Sequence, residues 1–242
     1  MDKMHWIDVA LYDIKSCRLL YKNKLYAQSL FYFQQSIEKC SKYIGIVMGG
    51  FSERELRDIS HNPIKIFNKM AKKLNEGNAD YDSQFWDNEL TKSRDIINKA
   101  QEDEAVVVML QIMGRDMKSI LPFDDNEVKG HLKMFMTEHM PNENWEEVCL
   151  LFDENSESEF KNYATKLFLR DCYGDRILAF LMMLSLLLSR FKVDDFRYPS
   201  EKYGNPIAYF NSDRILVKEL KGMIELMESY ILPMTKLIDW NV

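Results

Sequence analysis

Six apolar residues constrain the fold of this chain more than any other feature. Leu30, Phe33, Ile37, Cys40, Ile44 and Val47 recur at alternating steps of three and four without a slip. That rhythm puts all six on one stripe of a helix, the pattern of a helix laid into an antiparallel hairpin. Trp6, Ala10, Ile14, Cys17 and Tyr21 repeat the rhythm and predict a preceding helix over Trp6 to Tyr21, broken at Asn23. Gly49-Gly50 ends the second helix, because glycine accepts the left-handed conformation of a C-cap.

The remaining punctuation supports the same architecture. Ser52-Glu53-Arg54-Glu55 is a capping box, with Ser52 as N-cap and Glu55 three residues on. It opens a short helical turn reaching His61. Asn62-Pro63 restarts the chain as N-cap and first helical residue, for a helix to about Leu74. Asn75 to Gln84 reads as a polar loop. Phe85 to Met113 shows a helical pattern; Val106-Val107-Val108 taken alone would suit a strand, but its periodic context favours helix. Val128 to Met140, Trp145 to Phe152, Glu159 to Arg170 and Asp175 to Phe191 read as further helices. A loop over Asp194 to Asn205 follows. The last helix starts near the N-cap cluster Asn211-Ser212-Asp213 and runs towards Met234 despite Pro233. Only 9 glycines and 6 prolines occur in 242 residues, too few for a turn-rich β architecture. The fold class predicted is all-α.

Ile177 to Leu188 is the one strongly apolar run, bounded by Arg176 and Arg190. A membrane span needs about 20 residues, so the run predicts a buried core helix and no membrane partner. Asp2, Lys3, His5 and Asp8 near the start give no signal-peptide pattern, and a cytoplasmic location is expected. Cys17, Cys40, Cys149 and Cys172 are scattered with no C-x-x-C pair, which predicts reduced, structural thiols. The net charge of -6 disfavours nucleic-acid binding by bulk electrostatics, so RNA contact would need a local basic patch such as Lys69, Lys72 and Lys73.

Chemical motifs are few. The glycines are wrongly spaced for a phosphate cradle, and no cofactor is predicted. His131 and His139, eight apart, lack evident fellow ligands, and no metal site is predicted. Asp124-Asp125 and Asp153-Glu154 read as solvated loop residues. Arg54 and His61 are the pair with chemical potential, at a break between helices. His61 could move a proton near neutral pH, and Arg54 could grip a phosphate through two hydrogen bonds. The structural reading has His61 donating to a nearby carbonyl or packed under the Asn62-Pro63 turn, and Arg54 as an exposed member of the capping box.

Tyr26-Ala27-Gln28-Ser29-Leu30-Phe31-Tyr32-Phe33-Gln34-Gln35-Ser36-Ile37-Glu38-Lys39 resembles the signature second helix of HEPN domains, which carry an aromatic, a Gln-Gln pair, an apolar residue and Glu-Lys in that order. Asp13-Ile14 before Leu19-Leu20-Tyr21 is similar to the family's opening helix. His61-Asn62-Pro63 and Arg197-Tyr198-Pro199 resemble two of its loops. The resemblance implies a helical bundle, here formed by residues 1–75 and 177–242; the helical stretch 76–176 is atypical of the family and reads as an insertion packed on the bundle, since neither of its ends shows a Pro/Gly/Ser-rich linker long enough to free it. It implies a homodimer and a prokaryotic toxin–antitoxin, defence or nucleotidyltransferase-associated setting, with a nucleotidyltransferase or antitoxin as partner. The leading expectation is a binding module for a nucleotide-like ligand or a partner protein. The other is a metal-independent ribonuclease in which Arg54 and His61 act on RNA.

Overall fold

The computed structural model describes residues 4–59, 61, 63–77 and 174–237, together with residues 91, 107 and 130. The helices read in the sequence from Phe85 to Arg170 otherwise lie outside the described residues, as do His131, His139, the two acidic clusters, Cys149 and Cys172. Val107 itself is helical.

The described chain is built of helices and holds no strand. Helix α1 spans Met4–Lys22 and α2 spans Tyr26–Val47. They form a long antiparallel hairpin around a turn at Asn23 to Leu25, with Ser36 Oγ donating to the Ala10 carbonyl and Ser29 Oγ to the Cys17 carbonyl. Small residues at these crossings let the two backbones approach. Ile7, Ala10, Ile14 and Cys17 face inward from α1, while Trp6 and Tyr21 at its ends are half-buried.

On α2 the predicted stripe is sealed: Leu30, Phe33, Ile37, Cys40 and Ile44 have no exposed surface, and only Val47 at the end is half-buried. Burial extends beyond the stripe to Gln34, Glu38 and Lys42, so α2 is surrounded rather than amphipathic. The chain turns at Gly50, whose φ of 56° is the left-handed conformation expected there. Gly45 serves a different purpose. A Cβ at that position would lie 2.8 Å from the Phe51 ring and 2.9 Å from Ile66, so the absence of a side chain permits the next helices to close on α2.

The capping box forms as read. Ser52 N donates to Glu55 Oε2 at 2.8 Å, and Glu55 N donates back to Ser52 Oγ at 3.3 Å. It starts α3, Glu53–Ile59. After the junction containing His61 and Pro63 comes α4, Ile64–Gly77, which continues through the first part of the loop expected from Asn75.

Helix α5, Asp175–Leu188, is the apolar run, and nearly every residue from Ile177 to Leu188 is buried. It packs on α2 and α4. The segment read as a loop from Asp194 contains a 3-10 turn at Val193–Phe196 and then an isolated bridge between Ser200 and Gly204. A short helix α6, Pro206–Tyr209, was not anticipated; Asn205 caps it and Pro206 opens it, the same pairing read at Asn62-Pro63. The rings of Phe191, Phe196, Tyr203, Tyr209 and Phe210 gather under this segment. The final helix divides into α7, Ile215–Leu226, a wide π turn at Met227–Ile231, and α8, Leu232–Leu237. Pro233 cannot donate to the helical ladder, and the widened turn before it absorbs the misfit. Both α7 and α8 pack on α1, completing the bundle around one apolar core. No helix among the described residues is long and apolar enough to cross a membrane.

Candidate functional site

A polar ladder runs along α2 beside its apolar stripe. Gln34, Glu38 and Lys42 are spaced by four, so successive turns carry them on one face. All three are buried, at 2%, 3% and 8% exposure, and a buried polar group is costly unless paired. The pairing is dense at Glu38. Its Oε1 accepts from Lys42 Nζ at 2.6 Å, and its Oε2 faces His61 Nδ1 at 3.0 Å and accepts a longer contact from Gln35 Nε2 at 3.4 Å. Lys42 also sits 5.4 Å from the centroid of the Trp6 ring. A second ion pair, Lys39 with Asp13, ties α2 to α1 one turn away.

The result for His61 is a specific posture. Its side chain is 63% exposed while Glu38, which holds it, is 4% exposed. His61 therefore does not pack under the turn; it is anchored from the core and presented to solvent. A carboxylate can only accept, so in the neutral imidazole the Nδ1 atom carries the hydrogen and Nε2 is left as an acceptor facing outward. That is the posture of a histidine able to accept a proton or a hydrogen bond at one fixed atom.

His61 lies on the wall of an open cavity of about 320 Å³ between α2, the α3–α4 junction and the chain after α5. Ile59, Pro63, Phe191 and Val193 form its apolar walls; Gln34, His61, Lys65, Ser189, Lys192 and Asp194 supply its polar groups. Lys65 and Lys192 are exposed cations. The loop carrying Lys192 is held by its own backbone, whose N–H donates to Asp195 Oδ2 at 2.7 Å.

Arg54 is not part of this wall. It is exposed on α3, and among the described residues it makes no hydrogen bond or ion pair. Its neighbour Glu55 is engaged by the cap and by Lys69 at 3.0 Å. The structure thus brings His61 to a cavity with Lys65 and Lys192, and leaves Arg54 outside it. The loop containing Arg197-Tyr198-Pro199 lies against α2 one turn before Gln34, where the Arg197 guanidinium stacks 5.2 Å from the Phe31 ring and 5.1 Å from that of Tyr198.

Gln34, Glu38 and Lys42 were not picked out by chemistry in the sequence. A signal was present, since three polar residues at steps of four ran beside an unbroken apolar stripe. Gln34 and Glu38 belong to the helix that resembles the HEPN signature.

The fold and the anchored histidine define an all-α helical module with a polar ladder in its central helix. Residues 4–113, less than half of the chain, match the family model described as the HEPN domain. The matched span includes α1 to α4 and continues into the segment read as an insertion. No curated protein and no solved structure matches the chain significantly.

Proposed function

We propose that this protein is a HEPN-type binding module whose ligand is nucleotide-like and occupies the cavity beside His61. The cavity carries this reading: about 320 Å³ lies at the lower end of small-ligand sites, with apolar walls for a planar ring and two exposed lysines for an anion. In a chain of net charge -6, Lys65 and Lys192 at one opening form a local exception to the acidic field. The setting we assign is a prokaryotic defence or toxin–antitoxin system, with an antitoxin or nucleotidyltransferase as protein partner and a homodimer as the working form. We assign residues 1–75 and 177–242 to the bundle, supported by the core that α1 to α5, α7 and α8 share, and 76–176 to a helical insertion packed on it.

Calorimetry with nucleoside monophosphates tests the ligand. Binding is expected to weaken at least tenfold in Lys65→Glu and in His61→Ala, with the fold retained because both side chains are exposed. Unchanged affinity in both variants would reject the cavity as the site.

The ribonuclease reading is favoured by one observation, the pinning of His61 by a buried carboxylate, which leaves Nε2 free to take a proton from a 2'-hydroxyl. In that reading Arg54 holds the scissile phosphate, and since it stands outside the cavity wall the RNA would have to bridge from one to the other. Cleavage in the presence of EDTA that is abolished by His61→Ala and by Arg54→Lys would establish it; cleavage unaffected by His61→Ala would end it.

A further inference from the structure

A second cavity, which shares no residue with the one beside His61, lies at the α1–α2 turn and against α7. It holds about 280 Å³, and Tyr21, Tyr26 and Ile224 give it apolar walls. The two tyrosine rings stand edge to face with centroids 5.5 Å apart. Burial first, then Tyr26 and Glu219, push the Tyr21 phenol up from its ordinary value, so that wall stays uncharged at neutral pH. The charged lining is one-sided: Arg18, Lys22, Lys24 and Lys221 against the carboxylate of Glu225. In a chain of net charge -6 this is a local inversion of sign.

Two of the four cations are engaged. Arg18 Nη2 lies 2.6 Å from Glu228 Oε2, and Lys221 Nζ lies 4.0 Å from Glu225 Oε1. Lys22 and Lys24 are exposed, and neither ammonium meets an acidic side chain among the described residues. The ordinary task of cations at a helix C-terminus is to satisfy its last carbonyls. Here the turn does that with its own groups. The Asn23 N–H and side-chain amide donate to Leu19 O, the Leu25 N–H to Leu20 O and the Lys24 N–H to Tyr21 O. Lys24 also has a φ of 60°, a left-handed conformation that glycine adopts freely and a lysine only at a cost. Glycine would serve the turn better, which leaves the charged side chain as what the lysine contributes.

We propose that this cavity binds a compact planar anion. Its ring lies against Tyr21, Tyr26 and Ile224, and its carboxylate or phosphate is held at the rim by Lys22 and Lys24. The volume falls just under the usual range for small-molecule sites, which limits the ligand to one or two fused rings. The inference is independent of the nucleotide reading of the cavity beside His61.

Fluorescence titration of the full chain with 2-naphthoate, 2-naphthyl phosphate and 2-naphthamide separates ring from charge, since the amide has the ring alone. At least one anion is expected to bind about fivefold or more tightly than the amide, and the tighter of the two identifies the head group. In Lys22→Gln/Lys24→Gly that affinity should fall about threefold or more, as for the loss of two exposed ion pairs. The melting temperature of this variant should be no lower than the parent's, because glycine relieves the left-handed turn. Anions that bind no better than the amide, or with unchanged affinity in the double variant, overturn the proposal. So does a loss of affinity that comes only with a lowered melting temperature, which would make the lysines supports of the turn. A loss in Lys65→Glu instead would locate the probe in the cavity beside His61, and absence of binding by both anions at millimolar concentration would reject the site outright.

Discussion

Glu38 is the residue on which the anchored histidine depends, and replacing it by glutamine isolates its charge. The side chain keeps its size, so little packing is lost. What changes is the environment of Lys42, whose ammonium is 2.6 Å from Glu38 Oε1 and whose side chain is 11% exposed. Removing one member of a buried ion pair strands the other, at a cost of about 3–5 kcal/mol. The Trp6 ring 5.4 Å from Lys42 offsets part of that, and the glutamine oxygen can still accept a hydrogen bond. The lower end, about 3 kcal/mol, is therefore expected. His61 adds little to this figure because it is 63% exposed. In urea titration followed by circular dichroism, Glu38→Gln should lower the midpoint by about 1 M or more with an unchanged slope. The diagnostic measurement is the double variant Glu38→Gln/Lys42→Met, which removes the stranded charge. Its stability should recover to within about 1–2 kcal/mol of the parent, since buried pairs are often replaceable by apolar groups of similar volume. A Glu38→Gln loss under about 1 kcal/mol, or a double variant weaker than the single one, would refute the view that Glu38 and Lys42 neutralise each other in the core.

Ile37 is fully buried on α2, and Ile37→Ala should cost about 2–5 kcal/mol by denaturant titration; a change under about 0.5 kcal/mol would remove it from the core. Two glycine-to-alanine changes should have opposite signs: Gly45→Ala is expected to destabilise by about 1–3 kcal/mol, because Phe51 and Ile66 are too close to a new methyl group, whereas Gly222→Ala at an exposed position of α7, where nothing lies within 4 Å, should stabilise by about 0.5–1 kcal/mol in thermal melts. Burial pushes the thiols of Cys17 and Cys40 from 9.0 up to about 12, so both should resist iodoacetamide at pH 8 until the protein is unfolded. The same shift fixes a pH dependence: between pH 9 and 12 the unfolded thiols release protons that the folded ones retain, so stability should fall with rising pH across that window, by at most about 1.4 kcal/mol per pH unit for each thiol. A Cys17→Ala/Cys40→Ala variant should lose that part of the slope.

The helices of the described chain were legible because their signals are local. The stripe on α2, the capping box at Ser52 and the apolar run of α5 each express a rule that operates within a few turns of chain, and each formed where it was read. Where local rules compete, the sequence was less decisive. Asn75 and Gly77 suggested a loop, yet α4 continues to Gly77; Asn205-Pro206 opens a helix just past the stretch read as loop; and Pro233 is tolerated only through a π turn. His61 was legible as a residue type at a helix break, but not its posture, because Glu38 lies 23 residues away and approaches it only when α3 and α4 close over α2. The same holds for Gln34, whose amide is oriented by carbonyls more than 150 positions later in the chain. The sequence by itself determined the all-α class, the core face of the central hairpin and the identity of the candidate histidine, since periodicity and capping are properties of neighbours along the chain. Only the tertiary structure decided that α2 is buried on its polar side as well, that His61 joins Lys65 and Lys192 at a cavity and that Arg54 does not, because those relations depend on which distant segments share the surface of one helix.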